Sequence, residues 1–330
     1  MNVDFLEDKT ILITGGTGSF GRNFVKFLLK NTKLKKIIIF SRDELKQFQM
    51  QQEIQDSRLR FFIGDVRDLQ RLERAFNGVD FVVHAAALKQ VPTLEYNPFE
   101  AVKTNINGSQ NVIDAALDSG VDRVLLISTD KAAQPVNLYG ATKLCAEKLF
   151  VSGNSYAGGK TKFSCVRYGN VLGSSGSIVE TLLKNQGNEK VYITDERMTR
   201  FWITLEQAFQ LVLFALENME GGEVFIPKVS SMKLVDLFDV IVPNAEKEII
   251  GIRPGEKIHE ILLSSEESKH SVELENYHVI LPEFLGDEKY KKYFETGNKL
   301  EDGFCFTSDK NKNWLTKEDL VEIIKLCNLL

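Results

Sequence analysis

The sequence lacks several features that mark particular classes of protein. Its four cysteines, Cys145, Cys165, Cys305 and Cys327, include no C-x-x-C pair, which favours a reducing compartment and suggests no metal site. No segment approaches the roughly 18 uninterrupted apolar residues of a membrane span. The start, MNVDFLEDKT, lacks the basic residues and apolar core of a signal peptide. We therefore expect a cytoplasmic protein with no membrane partner.

The chain also has no excess of positive charge. Its formal net charge is −5 over 330 residues, which argues against nucleic acid as a partner but leaves room for a local basic pocket that binds phosphate. Apolar residues make up 43% and charged residues 26% of the chain. This balance is that of a folded globular protein, so disorder is not indicated.

Short β-branched runs alternate with longer amphipathic stretches along the first half of the chain. The runs are KTILIT, KKIIIF, LRFFIG, VDFVVHAA, DRVLLIST and KFSCVRY. This alternation predicts an α/β fold with a doubly wound parallel sheet of the Rossmann type. We expect residues 1–168 to form the cofactor-binding domain and residues 169–330 mainly a smaller substrate-binding lobe, with later segments such as the helix near 204–216 packing back on the sheet.

A glycine loop separates the first strand from its helix in ILITGGTGSFGRN. It matches G-x-G-x-x-G from Gly16 and T-G-x-x-G-x-x-G from Thr14. Glycines permit the tight turn and the close approach of a pyrophosphate, which the helix N-terminus then binds. A strand precedes this loop and a helix follows it, and that context favours a dinucleotide site over a simple turn. The residues predicted to contact the cofactor here are Gly15, Thr17, Gly18, Ser19, Phe20 and Gly21.

The end of the second strand, IIIFSRDELK, indicates which dinucleotide binds. NAD enzymes place a carboxylate there, whereas Ser41 and Arg42 offer a hydroxyl and a cation suited to the 2′-phosphate of NADP. The alternative is that Arg42 is a solvated loop residue and Asp43 caps the next helix. This interpretation and phosphate binding are compatible with each other. We therefore predict NADP. The further contacts predicted along the sheet edge are Ser41, Arg42, Asp43, Lys46, Asp65, Val66, Ala86 and Lys89.

The stretch VLLISTDKAAQPVNLYGATK ends the fifth strand and begins a helix that carries Tyr139 and Lys143. Residues four apart lie on one helix face. A lysine ammonium there lowers the pKa of the phenol, which makes Tyr139 a usable base for a substrate alcohol. Behind a glycine loop and a strand ending in Ser-Thr, this pair resembles that of the extended short-chain dehydrogenases/reductases.

Within that family the triplet Thr129-Asp130-Lys131 is the most informative. It is similar to that of the inverting UDP-N-acetylglucosamine 4,6-dehydratases of the pseudaminic-acid type, whereas retaining dehydratases carry Thr-Asp-Glu. The resemblance runs through GGTGSFG, FSRDELKQ, HAAALKQVP, MTRFWITLEQA and RPGEKIHE. It covers most of the chain, from about Lys9 to Pro282.

The resemblance implies a role for each catalytic candidate. Tyr139, assisted by Lys143 and Thr129, deprotonates the alcohol at sugar carbon 4. Lys131 removes the proton from carbon 5, and Asp130 assists departure of the 6-hydroxyl. A lysine base near a carboxylate is a physical difficulty, because an ionised Asp130 favours the protonated amine. The alternative is that Asp130 and Lys131 form a solvated ion pair on a loop.

The substrate implied is UDP-N-acetylglucosamine, bound by residues of both halves. The candidates are Ala85, Lys131, Asn170, Arg200, Arg253 and Glu256. Arginines suit a diphosphate because they donate in pairs, and Arg197 is a further candidate beside Arg200. The alternative for each arginine is a surface charge, and Arg253 with Glu256 is favoured over Arg200. His259-Glu260 is half of a zinc motif whose second histidine is replaced by Leu263, so we expect no metal.

Two other functions are compatible with parts of the pattern. A UDP-sugar 4-epimerase would use Tyr139 and Lys143, but it would give Asp130 and Lys131 no role in catalysis. A retaining 4,6-dehydratase would differ in the stereochemistry at carbon 5. A non-catalytic NADP-binding sensor needs neither pair. The complete set favours the inverting dehydratase, and the resemblance suggests a homo-oligomer, with a hexamer as one form.

Overall fold

A computed structural model describes residues 3–173, 177–184, 190–283 and 287–326. Cys145, Cys165 and Cys305 are free thiols, and Cys327 lies outside the described residues. Strands and helices alternate through the first half, as the sequence predicts. Three further short helical turns accompany them: 3-10 turns at Asp4–Leu6 and Asp130–Ala132, and a π-helix at Val102–Asn107.

The first half supplies six strands and seven helices. The strands are β1 (Thr10–Thr14), β2 (Lys36–Ser41), β3 (Leu59–Ile63), β4 (Phe81–His84), β5 (Arg123–Thr129) and β6 (Lys162–Tyr168). The helices are α1 (Ser19–Asn31), α2 (Glu44–Glu53), α3 (Leu69–Phe76), α4 (Val91–Tyr96), α5 (Pro98–Ala101), α6 (Gly108–Ser119) and α7 (Leu138–Gly153).

The second half has shorter and more varied elements. Its strands are β7 (Asn170–Val171), β8 (Lys190–Ile193), β9 (Thr199–Ile203), β10 (Val224–Pro227), β11 (Ser230–Lys233), β12 (Glu246–Ile249), β13 (Ile261–Leu263), β14 (Ser271–Glu273), β15 (Tyr277–Ile280), β16 (Asn298–Lys299) and β17 (Phe306–Thr307). Its helices are α8 (Ile178–Lys184), α9 (Leu205–Asn218), α10 (Leu234–Ile241), α11 (Ser265–Ser268), α12 (Lys291–Thr296) and α13 (Lys317–Leu326), with a 3-10 turn at Asp287–Tyr290.

Ten strands form the central sheet in the order β16-β14-β15-β10-β6-β5-β4-β1-β2-β3. The seven strands from β10 to β3 are parallel, and β15, β14 and β16 add an antiparallel edge. The order 3-2-1-4-5-6 is that of doubly wound dinucleotide-binding sheets. The predicted fold class is therefore confirmed.

Burial explains why the inner strands read as continuous apolar runs. Every residue of β1 and β4 is buried, because helices cover both faces of a parallel sheet. One core cluster extends through this sheet and its helices. It includes α9, which Thr204 caps with a paired hydrogen bond to Gln207 and which contacts β5, β6 and α1. Segments on both sides of residue 168 thus build the sheet, and the domain boundary proposed there stays a prediction.

A second core cluster defines a smaller lobe. It contains Leu172, Val179, Leu182, Val191, Ile193, Met198, Trp202, Met232, Leu234, Leu237, Phe238, Ile241, Val242, Leu320 and Ile324. Small sheets β11-β9-β7 and β12-β8 belong to this part of the chain. Among the residues described, no helix is both long and apolar enough to cross a membrane.

The fold brings the ends of several strands to one edge of the sheet. Strand order reverses between β1 and β4, and open α/β sheets bind ligands at such a point. The loops that follow β1, β2, β3, β4, β5 and β6 all lie at this carboxyl edge because these strands are parallel. The predicted site residues of the first half lie at the ends of these strands, in the loops that follow them or in the first two turns of the next helices.

Candidate active site at the carboxyl edge of the sheet

The glycine loop packs tightly against the loop after β4. Gly15 has φ of +66°, and a Cβ on it would lie 2.9 Å from the backbone of Ala86. Only glycine meets both demands without strain. Gly18 is the N-cap of α1, so the first amides of this 13-residue helix face the loop. An anionic ligand placed there meets the backbone amides of the first helical turn and the positive end of the helix dipole.

A cleft of about 300 Å³ opens beside this loop. It is lined by eleven of the residues predicted for cofactor or sugar: Gly15, Thr17, Gly18, Ser41, Arg42, Asp43, Lys46, Asp65, Val66, Ala85 and Ala86. The adjoining part of the cleft, about 460 Å³, shares Gly15, Gly18 and Ala85 with it. It is also lined by Ser19, Phe20, Gly21, Lys89, Thr129, Lys131, Tyr139, Lys143 and Asn170.

The far end of the cleft carries the Ser41 hydroxyl and the Arg42 guanidinium, which are predicted to bind the 2′-phosphate. Ser41 is held by Thr17, whose hydroxyl donates to it at 3.0 Å, and by Gln47, whose amide donates at 3.1 Å. Arg42 is half exposed and lies 3.6 Å from Asp65. Asp43 caps α2 by accepting from the Lys46 amide at 3.0 Å, so this helix-capping alternative is correct while Arg42 still faces the cleft.

The central part of the cleft is built by β5 and α7. Asn137 caps α7 by accepting from the Gly140 amide at 2.8 Å. Gly140 lies against the 3-10 turn at Asp130–Ala132, where any side chain would collide with the carbonyl oxygen of Lys131. This close approach, which the sequence analysis did not single out, sets the spacing between the turn that carries Lys131 and the helix that carries Tyr139.

Tyr139 and Lys143 lie one turn apart in α7 and both face the cleft. The Lys143 ammonium donates to the carbonyl oxygen of Ile127 at 2.7 Å. Burial lowers the pKa of Lys143 to about 8, against the opposing charge of Glu147. Burial also raises the pKa of Tyr139, while Lys131 and a hydrogen bond with Thr129 act to lower it.

Asp130 and Lys131 form an ion pair beside Tyr139. The Lys131 Nζ lies 3.0 Å from Asp130 Oδ1, which also accepts from the Thr129 hydroxyl at 2.8 Å. Asp130 is fully buried, and its Oδ2 has no hydrogen-bond partner within the described part of the chain. Burial lowers the pKa of Lys131, but Asp130 and Glu260 together outweigh it and raise that pKa above its usual value.

Glu260 is a site residue that the sequence analysis missed. Its Oε1 lies 3.5 Å from Lys131 Nζ and 3.7 Å from Arg200 Nε. The available signal was the motif RPGEKIHE, in which we interpreted His259-Glu260 only as half of a zinc motif. In the structure His259 contacts the hydroxyl of Thr199 at 2.8 Å, and the described residues contain no metal-binding cluster.

The predicted substrate residues occupy three different settings. Asn170 lines the cleft, and its Oδ1 is buried without a partner among the described residues. Arg200 is buried, and its Nη1 donates to the carbonyls of Thr199 and Ile258. Arg253 and Glu256 lie in a loop outside the cleft lining, 3.9 Å from each other, where Gly255 accepts from Asn137. Their contact with a substrate stays a prediction.

The model of a family described as polysaccharide biosynthesis protein matches residues 11–282. The chain belongs to this family. A UDP-N-acetylglucosamine 4,6-dehydratase (inverting) from Campylobacter jejuni is 53% identical over 324 residues, 96% of this chain and 97% of that protein. A UDP-glucose 4-epimerase from Rickettsia conorii is 41% identical over 96% of this chain and 95% of that protein.

The fold of this chain is similar to that of solved structures. Pen from Bacillus thuringiensis is 40% identical, covers 99% of this chain and 100% of its own, and has a TM-score of 0.91. DesIV, a dTDP-glucose 4,6-dehydratase from Streptomyces venezuelae with NAD and TYD bound, is 23% identical, matches 76% of this chain and 86% of its own, and has a TM-score of 0.66. The resemblance to extended short-chain dehydrogenases/reductases, and among them to inverting 4,6-dehydratases, is confirmed.

Proposed function

We propose that this enzyme converts UDP-N-acetylglucosamine to UDP-2-acetamido-2,6-dideoxy-β-L-arabino-hex-4-ulose with NADP as cofactor. The observation that carries the proposal is the placement of Lys131, paired at 3.0 Å with the buried Asp130, in the cleft that also holds Tyr139 and Lys143. The 53% identity to a relative with the inverting dehydratase name supports the same reaction. Such a product suits the synthesis of nonulosonic acids for surface glycans.

The residues of the cleft fit a dinucleotide. Gly15 allows the backbone approach that a pyrophosphate needs, and the N-terminus of α1 complements its charge. A bound NADP would accept a hydride from sugar carbon 4 and return it to carbon 6. Lys143 would hold the nicotinamide ribose, and Arg42 with Ser41 would hold the 2′-phosphate.

Tyr139 supplies the base for the first proton transfer. Its phenol lies in the cleft with Lys143 one helical turn away and a hydrogen bond with the Thr129 side chain. The Lys131 cation and Thr129 act to lower the pKa of the phenol, so they oppose the burial that raises it. The group therefore accepts a proton from the 4-hydroxyl only with this assistance.

Asp130 and Lys131 supply the acid and the base for loss of water. Lys131 is protonated in the free enzyme because two carboxylates raise its pKa. We infer that its proton passes to Asp130, whose carboxylate it already contacts at 3.0 Å. Neutral Lys131 then removes the proton on carbon 5, and Asp130 delivers its proton to the departing 6-hydroxyl, which leaves as water.

The 4-epimerase is the second candidate because a relative with that name is 41% identical. Epimerisation returns hydride to carbon 4 and removes no water, so the buried Asp130 would lack a task. Incubation of the purified enzyme with UDP-N-acetylglucosamine and NMR of the product separates the two. A 4-keto-6-deoxy sugar supports dehydration, and a galacto-configured hexosamine with its 6-hydroxyl intact supports epimerisation.

The stereochemistry at carbon 5 tests the inverting assignment. We expect the β-L-arabino product at the earliest times, with deuterium from deuterated water at carbon 5. Label from a 4-deuterated substrate should appear at carbon 6 without added NADPH. A D-xylo product at the earliest times would mean retention, and the use of Lys131 to assign inversion would then be wrong.

The choice of NADP is tested by the nucleotide that co-purifies. We expect NADP, and we expect Arg42→Glu to weaken NADP relative to NAD by about tenfold or more, the scale of a hydrogen bond to a charged group. Arg74→Glu, an exposed change on α3, is the matched control. Recovery of NAD alone from the wild type would refute this choice.

We also propose a cytoplasmic homo-oligomer with no nucleic-acid or membrane partner. Tyr96 and Phe99 support self-association because they are 88% and 73% exposed on neighbouring helices. Light scattering gives the mass, with a hexamer as one expected form. A monomer at micromolar concentration would refute this part alone.

A further inference from the structure

Glu260 is a buried acid that faces the base of the reaction. It is 3% exposed, and its backbone is fixed on both sides by Ser308, whose hydroxyl accepts from the Glu260 amide at 2.9 Å and whose amide donates to the Glu260 carbonyl at 2.9 Å. The following strand, β13, contacts the turn at Asp130–Ala132. The carboxylate is therefore held in place by the carboxyl-terminal part of the chain.

Glu260 lies within ion-pair distance of two cations, Lys131 and Arg200, which come from different segments. Its Oε1 lies 3.5 Å from the Nζ of Lys131 and 3.7 Å from the Nε of Arg200. Its Oε2 is buried and has no partner within the described residues. A buried ion pair is weak evidence for stability, because desolvation offsets the attraction. The position of this carboxylate beside Lys131 has a more direct consequence for the reaction.

Building on the proposed function, we infer that Glu260 is a positioning residue that orients the Lys131 amine toward the sugar and sets how readily that amine releases its proton. The Nζ of Lys131 lies 3.5 Å from Glu260 and 3.0 Å from its neighbour in sequence, Asp130. The amine thus contacts two carboxylates that belong to separate parts of the fold.

The charged and titratable groups that interact with Lys131 come from several elements. They are Asp130 from its own turn, Glu260 before β13, Arg200 in β9, Lys89 after β4, Lys257 in the loop before β13, and Tyr139 in α7. Asp130 and Glu260 favour the protonated amine, and Arg200 opposes it. Removing the charge of Glu260 while keeping its shape therefore lowers the proton affinity of Lys131 and leaves the other groups in place.

The first test follows Lys131 directly and does not depend on turnover. In protein labelled with ¹³C at the lysine ε-carbon, the signal of Lys131 is identified by its loss in Lys131→Arg. We expect it to titrate at a pH lower by about one unit or more in Glu260→Gln than in the wild type, the scale of one nearby opposite charge. Glu266→Gln, an exposed change at 79% side-chain exposure, should not move it.

The second test uses the pH profile of turnover. Because the proposed reaction starts from protonated Lys131, whose proton passes to Asp130, kcat should fall at alkaline pH where that proton is lost to solvent. This falling limb should move to lower pH in Glu260→Gln, with Glu260→Asp intermediate between Glu260→Gln and the wild type and with KM for UDP-N-acetylglucosamine little changed. A fold defect would instead lower kcat at every pH without moving the limb.

The outcomes separate this inference from the proposed function. A wild type that forms no 4-keto sugar refutes the proposed function, whereas the ε-carbon titration still tests Glu260. An unchanged Lys131 titration in folded Glu260→Gln overturns the inference even if dehydration is observed. If Glu260→Gln does not fold, Glu260→Asp is measured in its place, and failure of both variants to fold overturns the inference in favour of a purely structural role.

Discussion

Two lysines face the same cleft from neighbouring segments, and their proton affinities shift in opposite directions. Lys143, on α7, is buried and its pKa falls to about 8. Lys131, on the turn at Asp130–Ala132, has a pKa above the usual lysine value although burial acts to lower it. The two side chains differ in the carboxylates that they meet.

Lys131 contacts Asp130 at 3.0 Å and Glu260 at 3.5 Å. Lys143 instead donates to the neutral carbonyl of Ile127. Its acidic neighbour Glu147 is already engaged by Arg167 and by the hydroxyl of Ser128. Burial alone therefore does not determine whether a lysine of this site is charged. Direct contact with carboxylates also changes its proton affinity, and we propose that the two lysines serve different steps.

The comparison predicts that loss of each lysine blocks a different step. We expect Lys131→Met and Lys143→Met each to lower turnover by about 10²-fold or more, the scale of a general acid–base group. Absorbance of reduced nicotinamide after mixing with substrate should rise in Lys131→Met, because oxidation at carbon 4 still occurs, and should stay flat in Lys143→Met. Lys148→Met, an exposed change on α7, is the control. No rise in either variant would contradict the separate roles.

The same substitutions should change stability unequally at pH 7. Lys131→Met leaves two buried carboxylates without their shared cation, and we expect a loss of about 2 kcal/mol or more in the free energy of unfolding. Lys143→Met removes an ammonium whose burial is unfavourable, so its cost should be smaller. Urea denaturation measures both, and equal losses would show that the carboxylates do not distinguish the two lysines.

The stability that each lysine contributes should depend on pH in a different way, because the folded pKa is lowered for Lys143 and raised for Lys131. The pKa of Lys143 is about 8 when folded against 10.5 unfolded, so its unfavourable burial is present below pH 8 and is relieved as pH rises to 10.5, by about 3 kcal/mol in total. The stability of the wild type relative to Lys143→Met should rise over that window. For Lys131 the folded pKa is raised, so its contribution is complete below 10.5 and is lost only above it. The wild type relative to Lys131→Met should therefore stay level over the same window.

The spacing between the two segments depends on Gly140. Gly140→Ala should lower the free energy of unfolding by about 1–3 kcal/mol, the usual cost of overpacking, because its methyl group meets the Lys131 carbonyl. Thermal unfolding measures the loss. Gly153→Ala at the other end of α7, where the nearest atom lies 3.3 Å away, should cost less. A neutral Gly140→Ala would show that the turn can move away from α7.

Local patterns predict much of this fold and a definite part of the site. The alternation of β-branched runs with helices gives β1 to β6, because buried parallel strands are apolar throughout. Gly15, Arg42, Tyr139 and Lys143 follow from motifs at strand ends. Strands β14 and β16 have only three and two residues, too few for a pattern to appear.

The remaining part of the site depends on contacts between distant segments. Glu260 reaches Lys131 only because the loop before β13 folds back on the turn after β5. No local periodicity encodes that approach. Arg200 resembles a surface phosphate ligand in the sequence, but the same folding buries it beside Glu260. Gly140 is similarly explained only by the backbone that it meets.

The antiparallel edge of the sheet has a consequence for how the protein is made. A ribosome that has released the glycine loop and the Tyr139–Lys143 helix has not yet released β10, β15, β14 or β16, which extend the sheet beyond β6. Until they emerge, β6 is an open strand edge, and Arg167 within it lacks Glu267 as a partner. The nascent chain thus carries a complete cofactor loop on an incomplete sheet. This is the interval in which chaperones protect such a chain from aggregation.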